Sequence, residues 1–175
     1  MFARNEKVVY PGHGVAVINA IIEKKIAGKI SQFFELRFLN KDMTILVPTD
    51  NAIAVGIRPL SSAERINDIF KKLSQPVVAK NNDMMLSNWN KRNKEYQGKL
   101  RSGDLLEIGV IYRDLRHIEH HKELSFGEKN LLQQTELLLV EEIAIVNNVE
   151  TSFATESLRG LVGCKIKQNT QHTVT

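Results

Sequence analysis

Apolar positions in this chain follow two different rhythms. Up to about residue 60 they fall in short β-branched and aromatic runs separated by turn residues, the pattern of strands. Lys7-Val8-Val9-Tyr10 leads into Pro11-Gly12-His13-Gly14, a turn built from one residue that fixes φ and two that accept positive φ. Val15 to Ile22 is apolar, and Glu23 to Lys29, with Gly28, reads as a polar hairpin tip. Ile30 to Phe38 places Phe34, Leu36 and Phe38 on one face, and Asn40-Lys41-Asp42 turns into Met43 to Val47. Four or five short strands joined this way predict a small antiparallel β-barrel of SH3 or Tudor type. Such a barrel is partly open, and the run Thr44 to Val47 reads equally as an edge strand or a paired interior one.

Further along, the rhythm becomes helical. Pro48-Thr49-Asp50 opens a short helix to Val55, closed by Gly56, and Pro59 stops any continuation. Ser61-Ser62-Ala63-Glu64 resembles a capping box in front of a helix to Leu73, and Ser74 to Asp83 is the best linker candidate. A helix from about Leu86 to Lys99 follows, with Leu86, Trp89, Asn93, Tyr96 and Leu100 at helical spacing. The next, capped by Ser102 or Asp104, aligns Leu105, Ile108, Tyr112, Leu115 and Ile118. Ser125 and Glu128 form a capping box before a long helix whose stripe is Leu132, Thr135, Leu139, Ile143 and Val146. A last helix covers roughly Glu150 to Leu161. The predicted class is therefore α+β, a small barrel followed by an all-α bundle of short helices. The expected domains are residues 1–60, a helix and linker over 61–83, a helical domain over 84–163 and a disordered tail over 164–175.

Charge changes this picture at one place. The 175 residues carry a formal net charge of +4. The segment Ser87 to Arg101 alone holds five Lys/Arg and one acid, Glu95, so it carries as much net charge as the whole chain. The protein's single Trp, Trp89, lies in this segment among amides and cations. Cations gain affinity for phosphates by releasing counterions, without sequence preference, while an indole stacks on a base or wedges between poorly stacked pairs. The same spacing also suits a Trp that begins the buried stripe of its helix, and both readings stand at this point.

Other chemistry is sparse. The lone Cys164 permits no internal disulfide, and no stretch reads as a signal peptide or membrane span, so a cytoplasmic protein is expected. No Gly-rich phosphate loop is present. His117 and His121 stand at i, i+4, but the pattern is not His-Glu-x-x-His and Arg113, Arg116 and Lys122 crowd it with positive charge. Neither metal, cofactor nor catalytic residue is expected, and a monomer is. No ordered set of Arg, Asn or Gln suggests base-specific reading.

Two sets of landmarks carry a family resemblance. Val8-Val9-Tyr10-Pro11-Gly12-His13-Gly14-Val15, Thr44-Ile45-Leu46-Val47-Pro48 and Val55-Gly56-Ile57-Arg58 resemble the polymerase-interacting barrel of the CarD/CdnL family of bacterial transcription regulators. Asn88-Trp89-Asn90-Lys91-Arg92, Lys99 to Asp104, Tyr112-Arg113-Asp114-Leu115 and Leu124 to Lys129 resemble its helical DNA-binding domain. The resemblance implies binding to the RNA polymerase β subunit, through Lys24, Ile45, Leu46 and Val47 here. It also implies contact with promoter DNA at the upstream edge of the bubble. There Trp89 would enter the minor groove, Lys91, Arg92, Lys94 and Lys129 would hold the backbone, and the open complex would be stabilised. Leu46 departs from a basic residue carried by several members, and Asn93 from a frequent aromatic. An RNA- or ribosome-associated binding module is the alternative reading.

Overall fold

The computed structural model describes residues 1–76 and 88–163. The later part of the expected linker, Leu86 in the expected stripe, and the tail with Cys164 lie outside the described residues. The chain divides into two compact units, Met1–Leu60 with Arg101–Gly103, and Ser61–Leu100 with the described residues from Asp104 onward.

The first unit is a five-stranded antiparallel sheet of β1 (Lys7–Tyr10), β2 (Gly14–Ile26), β3 (Lys29–Phe38), β4 (Thr44–Pro48) and β5 (Arg58–Pro59). The spatial order is β4-β3-β2-β1-β5, which leaves β4 at one edge. The turn into β2 uses Gly12 at φ 74° and Gly14 at φ 102°, as its composition requires. Val8, Ala16, Ile18, Phe34, Leu36, Phe38 and Val47 form the core, joined by Ala52 of a short helix α1 (Ala52–Val55) and by Ile57. Gly56 ends α1 in the left-handed region at φ 89°.

Glu23 to Lys29 is the polar end of the β2–β3 hairpin, as expected, and strand pairing continues into it through Lys24↔Ser31 and Lys25↔Ile30 to Ile26↔Lys29. The connection is two residues, Ala27 at φ 49° and Gly28 at φ 80°, whose left-handed pair matches the twist of the strands. The short helix ends at Val55 as expected, and beyond it Arg58 and Pro59 pair with Val9 and Val8 of β1. A proline is tolerated on such an edge, where its missing N–H forfeits no ladder bond.

The second unit packs α2 (Ala63–Leu73), α3 (Trp89–Ser102), α4 (Leu105–Glu119), α5 (Phe126–Asn147) and α6 (Thr151–Gly163). Their buried stripes form one core, with Ile66, Ile69 and Leu73 from α2 beside Ile108, Ile111, Leu115, Leu139, Ile143 and Leu158. The α2 helix is thus part of this bundle. Gly109 lets it approach α4 closely: a Cβ there would stand 3.1 Å from a methyl of Leu73. Its cap is Ser62, which accepts from Arg65 N–H at 3.1 Å, with no acid at the third helical position to reciprocate. The expected box over Ser61 and Glu64 is therefore displaced by one residue, because the Ser61 N–H donates instead to Glu142 Oε1 at 2.8 Å. Asp104 caps α4 through Leu106 and Glu107, and Gly103 at φ 67° ends α3. Glu136 draws three helices together by accepting from the Tyr112 hydroxyl of α4 and from the Arg159 guanidinium of α6. No helix among the described residues is long and apolar enough to cross a membrane.

Candidate nucleic-acid interface

Local sequence sets the position of Trp89. The Asn88 side-chain oxygen accepts from Asn90 N–H at 3.1 Å, and its carbonyl accepts from Lys91 and Arg92. Asn88 thus caps α3, and the residue after it becomes the first of the helix, where side chains sit at the rim of the bundle. Trp89 is half-buried there and packs against the helical core with part of its surface exposed. The two sequence readings of this residue are both partly satisfied.

Its bed comes from two helices. At the start of α5, Gly127 lies flat against the indole, so a Cβ would stand 3.0 Å from Cζ2 and 3.2 Å from Nε1. On α3 the Arg92 guanidinium carbon lies 5.6 Å from the centre of the ring, within cation–π range. Arg92 then donates to Glu128 Oε1 at 2.8 Å, with side-chain exposures of 4% and 2%. Glu128 Oε2 accepts from the Ser125 N–H at 2.8 Å, and the Ser125 hydroxyl accepts from Glu128 N–H at 3.3 Å. One carboxylate therefore closes the capping box of α5 and neutralises the cation beneath the indole. Burial pushes the Glu128 carboxyl up, but the Ser125 N–H and hydroxyl, Arg92 and Lys122 outweigh it and hold the pKa below the ordinary value.

Arg92 is accordingly corrected. Expected as a surface contact to phosphate, it is only 3% exposed and serves as a strut. It occupies the buried position that follows Trp89 by three and precedes Tyr96 by four, where its charge is compensated by Glu128 rather than by water. Lys91 and Lys94 are exposed on α3, with no counter-ion at salt-bridge distance among the described residues. Lys129 is exposed on α5, with its ammonium 3.1 Å from Glu123, and Lys122 stands 3.8 Å from Glu128. The sequence reading missed Lys122 as part of this cluster. A half-buried indole bedded on Gly127 and Arg92, in a unit whose α3 and α5 also carry exposed lysines, can stack on bases while such cations meet phosphates.

Asp114 of α4 is another buried polar group in this unit, at 5% exposure. Burial raises its pKa to about 6, against the lowering influence of Arg113 and Lys99. Burial likewise pushes the Tyr96 hydroxyl up to about 12, with Asp114 adding to the rise. At and just beyond the end of α4, the His117 and His121 rings lie 4.6 Å apart, tilted 45° to one another. Among the described residues no group of three or more His, Cys, Asp or Glu is placed to hold a metal ion.

In the first unit, the residues implied for polymerase contact lie on two elements. Lys24 is exposed on the far part of the β2–β3 hairpin. On edge strand β4, Leu46 is exposed, Ile45 half-buried and Val47 buried at 4%. Val47 is thus corrected as a side-chain contact: strand alternation turns it into the core, and only its backbone lies on the edge.

Comparisons with known proteins cover both units. A family model described as CarD-like/TRCF RID domain matches residues 2–61, and one described as CarD, C-terminal domain matches residues 69–159. A protein of Bacillus subtilis (strain 168), YdeB, whose name marks a proposed role as a transcription factor, is 27% identical over 149 residues. That match covers 85% of this chain and 94% of YdeB. The solution NMR structure of the 72-residue N-terminal domain of Myxococcus xanthus CarD is 32% identical where it matches. It covers 34% of this chain and 79% of that one, with a TM-score of 0.30.

Proposed function

The chain belongs to the CarD family of transcription-associated proteins, and from that premise we propose that it stabilises the promoter open complex while attached to RNA polymerase. The sheet binds the polymerase β subunit through edge strand β4, with Leu46 and Ile45 as apolar contacts and Lys24 as a cation. The helical unit meets promoter DNA at the upstream edge of the bubble, with Trp89 in the minor groove and Lys91, Lys94 and Lys129 on the backbone. The observation that carries this reading is the bed of Trp89. Gly127 and the buried Arg92–Glu128 pair bed an indole that remains partly exposed, on helices that also carry the exposed Lys91, Lys94 and Lys129.

The energetic logic is differential. At the fork the bases have already lost part of their stacking, so a wedge costs less there than in continuous duplex. A contact available only in the open state shifts the equilibrium toward that state by its own free energy.

The test is the lifetime of the open complex on a promoter with cognate polymerase. Wild type should lengthen it, and Trp89→Ala, folded by circular dichroism, should match the control without the protein. A folded wild type with no effect on lifetime, together with comparable affinity for structured RNA and no association with β, would replace this reading by an RNA-associated module.

A further inference from the structure

Phe126 is the first residue of α5 and is 81% exposed, among the most open large apolar side chains of the protein. Nothing in the local fold requires an aromatic there. Ser125 supplies the cap, Glu128 completes the box, and Leu124, 4% exposed, provides the apolar anchor in front of the helix. Leaving a phenyl ring in water forgoes the burial that normally rewards it. The ring is also adjacent in sequence to Gly127, the residue against which the indole of Trp89 lies. Lys129 follows at i+3, on the same helix face, and Lys122 stands beside Glu128.

We propose that Phe126 is a second aromatic contact to nucleic acid, taking an unpaired base of opened DNA beside the one met by Trp89. This deepens the function proposed above and rests on it. Charge complementarity and continuity select the occupant. An exposed aromatic side chain next in sequence to the glycine that beds Trp89, with Lys129 at i+3, suits a strand that presents bases and phosphates together. A protein partner would instead be expected to cover a broader apolar face, and the exposed neighbours Ser125, Lys129 and Asn130 are polar. The contribution of Phe126 is specific to unpaired bases, since a duplex keeps its base faces stacked and leaves the phosphates to the lysines.

The experiment compares the full chain with its Phe126→Ala, Phe126→Tyr and Trp89→Ala variants. Binding is read by anisotropy of two labelled DNAs of equal length, one a continuous duplex and one with an A·T-rich unpaired end. Phe126→Ala should weaken binding to the unpaired-end DNA roughly five- to tenfold and leave duplex binding within about twofold. Phe126→Tyr, which keeps the ring, should restore it, and thermal midpoints should match because the side chain packs on little. Phe126→Ala binding both DNAs like wild type, losing affinity equally on both, or failing to be rescued by Phe126→Tyr would overturn the proposal. Loss of the unpaired-end preference in Trp89→Ala alone would leave the Trp89 reading intact and remove only that for Phe126. Trp89→Ala retaining the preference would remove the reading beneath it.

Discussion

The Arg92 guanidinium and the Glu128 carboxylate meet at 2.8 Å with both side chains almost wholly out of water. Taking one partner away strands the other's charge in a buried site, which typically costs about 3–5 kcal/mol. Glu128→Gln keeps the shape and the acceptor for the Ser125 N–H, yet leaves Arg92 uncompensated. Urea unfolding should show a loss of that order for Glu128→Gln and for Arg92→Met. The double variant should recover much of it, since no buried charge remains. Simple additivity of the two losses would mean that the pair is not coupled as its geometry indicates.

Gly127 and Trp89 make a second, separable prediction. Gly127→Ala improves intrinsic helix propensity by up to about 1 kcal/mol, because the residue has ordinary helical φ. The new methyl must at the same time move the indole by a few tenths of an ångström, given the 3.0 Å approach to Cζ2. Overall stability should therefore change little while Trp89, the only Trp, changes its emission. Affinity for DNA with an unpaired end should fall several-fold. Unchanged emission and affinity would show that the indole is not held by this contact.

What the sequence revealed, and what it concealed, divides along physical lines. The stripe Leu105, Ile108, Tyr112, Leu115 and Ile118 is buried throughout, because apolar periodicity on a two-sided helix reports burial directly. The Ser125–Glu128 box was legible for the same local reason. Arg92 was not, since a cation in a run of cations and amides reads as solvated. Its place three residues after Trp89 and four before Tyr96 was the available signal, but recognising it needed the partner Glu128, thirty-six positions away. The hairpin was legible, but how far its strands stay paired was not, because both faces of its far part are wet. There Lys24, Lys25 and Lys29 look like a loop, although the strands remain paired.

Asp114 gives a pH prediction with a definite sign. Its folded pKa of about 6 lies above the ordinary 3.8, so between those values the folded protein binds more protons than the unfolded chain. Below 3.8 both forms are protonated and the residue is neutral to stability. As pH rises toward 6 the buried carboxylate becomes a growing penalty, constant above that. Asp114→Asn should thus be more stable than wild type at neutral pH by about 2–3 kcal/mol, with the difference vanishing near about pH 4. Arg113 and Lys99 are the charges that influence Asp114, and their effect is contained in that shift, while the Tyr96 hydroxyl, itself raised by Asp114, stays neutral over this range. Denaturant midpoints of the two proteins across this range measure it. A constant difference, or a gain that grows on acidification, would contradict the burial argument.

The exposed lysines Lys91, Lys94 and Lys129 differ from Arg92 in a way that salt exposes. A side chain that replaces counterions on a phosphate contributes roughly one unit to the slope of log affinity against log salt. Lys91→Ala, Lys94→Ala and Lys129→Ala should each flatten the slope by about one, with folding unchanged, because all three side chains are exposed. Arg92→Met should leave the slope alone and instead lower stability, since its charge is already matched by Glu128. Lys129 carries a further signature: its ammonium sits 3.1 Å from Glu123, which competes with phosphate for it and repels the DNA. Glu123→Gln should therefore raise affinity most at low salt and lose its advantage as the Debye length shrinks. A slope reduced by Arg92→Met but untouched by the lysines would place the DNA on a different face of the bundle.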